Sequence, residues 1–227
     1  MNTARELTLC AVCKCASEQS DYLLTNELIA AKIGTYLGLP VPPYCIVMDD
    51  NLPYFASLNF NLSAERLPPV NPMAFVSTFP DIACGIVILD AYICNDDRHA
   101  RNIAAVMDKA SPRCNIFDHD RSLLGPKKGL GIARLNGMGS SIGIDSLHCL
   151  ARQITEAAGL VAWLQRVEVL PRWVIAEAVN DTEALSETTR EERDRLIGFL
   201  DDRKSSLRQI IQASSHLFPN MKQGSLL

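Results

Sequence analysis

The sequence carries no excess of positive charge. Its formal net charge is −4 at pH 7, which argues against a general nucleic-acid or anionic-membrane binder and leaves any polyanion to a local basic patch. Nor is there an apolar run that spans a bilayer. The longest, residues 82–94, is too short and contains Asp90, so it reads as a buried helix. No leading segment joins a basic start, an apolar stretch and a small-residue cleavage site, and the expected location is the cytoplasm. Internal repeats and low-complexity tracts are missing too.

What is present fits an ordinary globular protein. The 227 residues, 48% hydrophobic and 21% charged, suffice for one large domain or two small lobes sharing a cleft, without metal or disulfide staples. Eight cysteines are many for a cytosolic chain. Cys45, Cys84, Cys94, Cys114 and Cys149 stand within apolar stretches, where a free thiol behaves as a small hydrophobe. The cluster Cys10, Cys13 and Cys15 contains a C-x-x-C, which can be half of a zinc site or a redox pair. No second C-x-x-C or H-x-x-x-H follows, and Leu7, Leu9, Ala11 and Val12 around it look like a strand. A buried strand carrying small thiols is the expectation.

Residues 6–15 are short and apolar-rich, a strand with Lys14 near its end. Leu28, Ile29, Ile33, Tyr36 and Leu37 recur at the spacing of one helical face, and Gly38 stops that helix. Pro40, Pro42 and Pro43 lead into an extended run at 44–48; Asp49, Asp50 and Asn51 make a turn, and 52–60 returns. After the loop with Pro68, Pro69 and Pro72 the pattern becomes helical, which divides the chain into a small lobe, 1–60, and a larger helical one, 61–227. A buried helix at 82–93 delivers the polar run 95–102, and two short apolar runs, 103–107 and 114–117, form a hairpin that ends at Asp118. Residues 125–143 contain six glycines with Lys127, Lys128 and Arg134 and are expected to be a mobile loop. Beyond Ile144 the chain reads as helical, with Trp163 and Trp173 in the core and a charged helix at 191–208.

Phosphoryl transfer needs a carboxylate beside the attacking hydroxyl, side-chain oxygens for Mg²⁺ and a cation on the nucleotide phosphates. Asp97 and Asn102 have the five-residue spacing of a kinase catalytic loop, base Asp to metal-binding Asn. The hairpin that starts at Asn102 returns Asp118 to the same place, where hard Mg²⁺ finds an amide oxygen and a carboxylate. Asp120 lies beyond the strand end and is the lesser candidate ligand. Taken alone, residues 95–102 also fit a polar loop closing a buried helix, with Arg98 and His99 facing its dipole.

The string N-D-D-R-H-A-R-N at 95–102 and I-F-D-H-D at 116–120 resemble the D-R-H-x-x-N and D-H-G-like motifs of HipA-like kinases and phosphatidylinositol kinases. The segment N-E-L-I-A-A-K-I-G-T-Y-L-G-L-P-V-P-P at 26–43 looks like the one that HipA-like proteins place after their nucleotide-binding lysine. The resemblance implies an α+β, two-lobed protein-kinase-like fold with a truncated small N-lobe and a mainly helical C-lobe. It also implies ATP and Mg²⁺ as cofactors, and transfer to Ser or Thr of a protein in a bacterial cytoplasm. By position, Lys14 meets the nucleotide phosphates, Glu27 holds Lys14, Asp97 orients the hydroxyl, and Asn102 and Asp118 hold Mg²⁺. Val12 and Lys14 share one strand face, so an apolar adenine contact and a phosphate cation sit together. Alone, Lys14 also reads as a solvated strand-end lysine and Glu27 as a first-turn helix carboxylate.

The same resemblance calls for a glycine-rich hairpin before the lysine strand, whereas thirteen residues precede Lys14 and none is glycine. The expectation is that the phosphates are covered by another segment or by a partner chain, or that the protein is a pseudokinase or toxin–antitoxin interaction module. The G-x-G at Gly129 and Gly131 stands where an activation or substrate loop belongs, and Lys127, Lys128 and Arg134 are either contacts for an anionic substrate or ordinary surface charges. A protein substrate or partner chain is expected, with no membrane and no direct nucleic-acid contact.

Overall fold

A computed structural model describes residues 10–16, 20–58, 67–108 and 110–221. The expected strand at 6–15 and returning strand at 52–60 fall partly outside these residues, as does the 60/61 boundary. What is described of the two strands is β1 (Ala11–Cys15) and β3 (Leu52–Leu58), which form an antiparallel sheet with β2 (Tyr44–Asp49) in the order β1-β3-β2. Asp50 and Asn51 close the β2–β3 hairpin with φ of 47° and 63°, the left-handed pair that matches the strand twist and that Asp and Asn tolerate best after glycine.

Helix α1 (Leu23–Leu37) starts a few residues before its apolar pattern does, because the cap comes from far away. Tyr22 offers no side-chain cap; instead Glu187 accepts from Leu24 N at 3.2 Å and Thr25 N at 2.8 Å, satisfying first-turn donors that would otherwise be orphaned. The helix stops at Gly38, φ 85°, as the sequence indicates. It is buried nearly all round. Leu24, Leu28 and Ala31 pack with Phe55 of the sheet, while Ile29, Ala30 and Ile33 belong to the main core. A helix apolar on both sides is an interior element, and this one joins the sheet to everything after it.

Helix α2 (Pro72–Thr78) is capped by Asn71, which accepts from Ala74 N at 3.0 Å. Next comes α3 (Pro80–Ile93), buried from Ala83 to Ile93 as its composition predicts. It ends at Cys94, φ 53°. The hairpin β4 (Ile103–Val106) and β5 (Arg113–Ile116) follows, then α4 (Gly131–Met138), α5 (Ala157–Glu168), α6 (Arg172–Asn180) and α7 (Arg190–Ala213). Thr189 and Glu192 form a reciprocal capping box at the start of α7. From α7, buried Arg203 donates to the carbonyls of Ala91, Met138, Ser141 and Ile142 at 2.7–3.1 Å, binding α3 and α4 to the helical core. Among the described residues no single helix is long and apolar enough to cross a membrane.

Three expectations need correction. Residues 125–143 are not one loop: α4 forms within them because Leu135 is fully buried and Arg134 is held by backbone carbonyls. Trp173 is 61% exposed, since the inward face of α6 is Val174, Ile175, Ala178 and Val179; its ring meets Tyr36 edge-on at 6.1 Å. Cys10, Cys13, Cys15 and Cys45 are exposed, Cys114 and Cys149 are half-buried, and only Cys84 and Cys94 are core thiols. The sheet has α1 against the face of Phe55, and Cys13 and Cys45, both opposite Ala56, share the other one.

Gly85 of α3 and Gly198 of α7 give a controlled comparison. A Cβ on Gly85 would stand 2.6 Å from the ring of Trp163, which is buried and tethered by Nε1 to Asp81 at 3.0 Å, whereas Gly198 has nothing within 4 Å. Gly198→Ala is expected to stabilise by about 0.5–1 kcal/mol through helix propensity. For Gly85→Ala, crowding should outweigh that gain with a net loss of about 1–2 kcal/mol. Urea denaturation of both variants checks the opposite signs.

Candidate active site

The site is assembled around Asp90, the one charge inside the apolar run of α3. Arg98 donates Nε to Asp90 Oδ2 at 2.7 Å and Nη2 to Oδ1 at 2.9 Å. Its Nη1 donates to the carbonyls of Asn102 at 3.0 Å and Phe117 at 2.8 Å. Asn95 Nδ2 donates to Asp90 Oδ1, and His148 completes the cluster. Because His148 Nδ1 accepts from Leu150 N and Ala151 N, its Nε2 carries the hydrogen that reaches Asp90 Oδ2 at 3.1 Å. Burial opposes charge on Asp90, but the Arg98 guanidinium and these donors prevail and hold its carboxyl well below the usual range.

This network fixes the loop 95–102 and the exit of the hairpin together. Asn102 Nδ2 donates to Asp97 O at 3.1 Å, closing the loop on itself and leaving Oδ1 as the amide atom suited to a cation. Ile103 pairs with Ile116, and Phe117 N donates to Asn102 O at 3.3 Å, so Asp118 emerges beside Asn102. Asp118 has φ 68°, an uncommon conformation for a non-glycine residue and one met often at functional turns.

From the sheet, Lys14 Nζ ion-pairs with Glu27 at 2.5 Å and, closer still, with Asp118. Burial disfavours the Lys14 ammonium, yet the two carboxylates raise its pKa above the ordinary lysine value. Glu27, almost fully buried, is pushed up by burial and brought down to about 2 by His119 beside it and by Lys14. His119 Nδ1 lies 3.5 Å from Glu27 Oε2. One residue earlier, Asn26 donates to Asp120 O at 2.6 Å and Gly125 O at 3.2 Å and accepts from Leu124 N at 3.3 Å, lacing the segment after Asp118 onto α1. Burial and the neighbouring Asp118 raise the pKa of the Asp120 carboxyl.

The structure thus brings Lys14, Glu27 and Asp118 into one ion cluster and joins Asn102 to Asp97 at its edge. Asp97 and Asp118 are both about one-third exposed, so solutes reach them. Val12 lies on the Lys14 face by strand alternation and is 57% exposed. Arg134 is not aimed at a substrate: it donates to the carbonyls of Cys94, Arg121 and Leu123 and to Asp96 Oδ2. Sequence reasoning missed Asn26, His119, His148 and the role of Asp90; the lone charge in an apolar run was the available signal for the last.

No group of three or more His, Cys, Asp or Glu among the described residues has metal-holding geometry. Mg²⁺ asks for less, one or two protein oxygens with water and phosphate completing its shell, and the residues whose chemistry suits it here are Asn102, with its amide oxygen, and Asp118.

Acid sensitivity follows from Glu27. Its folded pKa is about 2 against an ordinary 4.5, so its ionised form contributes stability above 4.5 that is lost as pH falls toward 2. In Glu27→Gln, stability measured by chemical denaturation is expected to fall less steeply below about pH 5 than in the wild type, with the share due to Asp90 remaining.

No family model and no curated protein matches the chain. Solved structures do. The proinflammatory kinase CtkA of Helicobacter pylori superposes with a TM-score of 0.66 at 13% identity, over 92% of this chain and 88% of that one. HipA of Shewanella oneidensis, from a toxin–antitoxin complex with HipB and operator DNA, superposes with a TM-score of 0.51 at 11% identity, over 88% of this chain and 58% of HipA. At these identities the likeness speaks for the fold alone, and that fold is the α+β, kinase-like one that these two structures have.

Proposed function

We propose that the chain is an ATP- and Mg²⁺-dependent phosphotransferase acting on a hydroxyl, most simply Ser or Thr of a protein, in a bacterial cytoplasm. The observation that carries this reading is Lys14 bridging Glu27 and Asp118 beside an Asn102 that is hydrogen-bonded to Asp97. Residues 1–60 serve as the small lobe and 61–227 as the large one. Asn102 and Asp118 would hold Mg²⁺, which would supply charge neutralisation to the phosphates. Lys14, kept cationic and aimed by Glu27, contacts the nucleotide phosphates, and Val12 lies against the adenine. Asp97 accepts a hydrogen bond from the attacking hydroxyl. As the new O–P bond forms, the bond from the terminal phosphorus to the ADP oxygen breaks, and the hydroxyl proton passes to Asp97.

A second reading has one observation of its own. Among the described residues β1 pairs with β3 alone and ends the sheet, and an end strand of this kind is a place where another strand can add. A small lobe completed by a partner chain suits a pseudokinase or a toxin–antitoxin interaction module, and the HipA structure contains HipB.

Without Mg²⁺ the phosphates face Asp97 and Asp118 with little cationic offset, so ATP should bind weakly; Asp118→Ala should abolish the metal dependence. Calorimetry with and without chelator decides, and equal wild-type affinities count against the assignment. Asp97→Asn should keep folding and ATP affinity while labelled-phosphate transfer falls about 10²-fold or more. Wild type that binds ATP yet transfers nothing, alone or with a neighbouring gene product, replaces the first reading by the second.

A further inference from the structure

Most cations around the candidate site are committed. Arg98 is buried on Asp90 and two carbonyls, Arg134 holds three carbonyls and Asp96, and Lys14 is clasped by Glu27 and Asp118. Arg121 differs. Its side chain is 55% exposed and faces the carboxylate of Asp97, with Nη1 3.7 Å from an Oδ1 whose side chain is itself 36% exposed. A solvated pair at that distance is weak and easily rearranged.

The backbone beneath this exposed head is firmly held. Arg121 O accepts from Arg134 Nη2 at 3.1 Å, Ser122 N donates to His119 O at 3.0 Å, and Leu123 N donates to Ile93 O at 2.8 Å. A fixed Cα carrying an exposed guanidinium next to the candidate base is a short-range anion arm. Its planar fork has donors enough to keep Asp97 on one edge and take phosphoryl oxygens on another. The surroundings call for such a cation: Asp97 and Asp118 are both about one-third exposed at the site, Lys14 is already shared between Asp118 and Glu27, and an entering triphosphate adds further negative charge.

We infer that Arg121, through its guanidinium beside Asp97, binds the terminal phosphoryl group of the nucleoside triphosphate. This rests on the phosphotransferase reading above and assigns within it the residue that tells a triphosphate from a diphosphate.

The test is a ratio of affinities. Dissociation constants of Mg²⁺-ATP and Mg²⁺-ADP are measured by calorimetry for wild type, Arg121→Ala and Arg121→Lys, with thermal melting to establish that each variant is folded. Arg121→Ala should weaken ATP by about tenfold and ADP by less than about twofold, the loss of one charge-assisted contact to the terminal phosphoryl alone. Arg121→Lys should recover part of the ATP affinity, keeping the charge but not the fork. Equal losses for both nucleotides, or no loss for either, overturn the assignment while wild-type ATP binding leaves the phosphotransferase reading intact. An unchanged ratio accompanied by a raised KM for the acceptor overturns it as well, by moving Arg121 to the acceptor. Wild type that binds neither nucleotide overturns both.

Discussion

Arg98 commits its guanidinium to four oxygens, two on Asp90 and the carbonyls of Asn102 and Phe117, and the remainder of the cleft depends on that arrangement. A buried ion pair is seldom a large net stabiliser, because desolvation of both charges offsets their attraction. Its value here is positional. The two carbonyls belong to the end of the 95–102 loop and to the residue before Asp118, so one planar group sets their spacing. Removing either charge would leave the other buried without its counter-ion, at a cost of about 3–5 kcal/mol, and would release loop and hairpin from each other.

Helix α1 performs the complementary task from the other side. Its apolar residues join two cores, and its first turns carry Asn26 and Glu27, nearly fully buried. Asn26 holds the segment after Asp118 through three backbone groups, and Glu27 aims Lys14. Polar groups at such depth are tolerated because they are engaged. The sheet and the helical portion therefore meet through specific hydrogen bonds as well as through packing, which fixes where Lys14 stands relative to Asp118.

How much of this the sequence reveals depends on how local the cause is. The 95–102 loop and the hairpin after it are short-range features, with five residues from Asp97 to Asn102 and a hairpin that needs only its own two strands, so their proximity could be read directly. The helix stop at Gly38 and the turn at Asp50 and Asn51 are local in the same way. Trp173 could not be placed, because an aromatic residue on a helix is core or surface according to which face the other helices cover. The thiols of β1 and β2 reversed their expected burial for an analogous reason: periodicity identifies a strand but not which of its faces receives a helix. Arg134 and Glu187 act on backbone groups of distant segments, and neither has a motif to betray it.

The remote cap on α1 has a bearing on how the protein is made. Thr25 N finds its acceptor on Glu187, 162 residues later in the chain. Domains emerge from the ribosome at about 5–20 residues per second, so the helix that carries Glu27 exists for on the order of ten seconds before its cap has been synthesised. Tyr22, at the same helix end, waits longer still for Glu192. During that interval α1 has apolar surface on both sides and neither its donor-satisfying carboxylate nor the helices that enclose it. Contacts of such sequence separation form late and slow folding. The nascent chain in this period is a natural client for chaperones, and the half of the cleft made first is completed last.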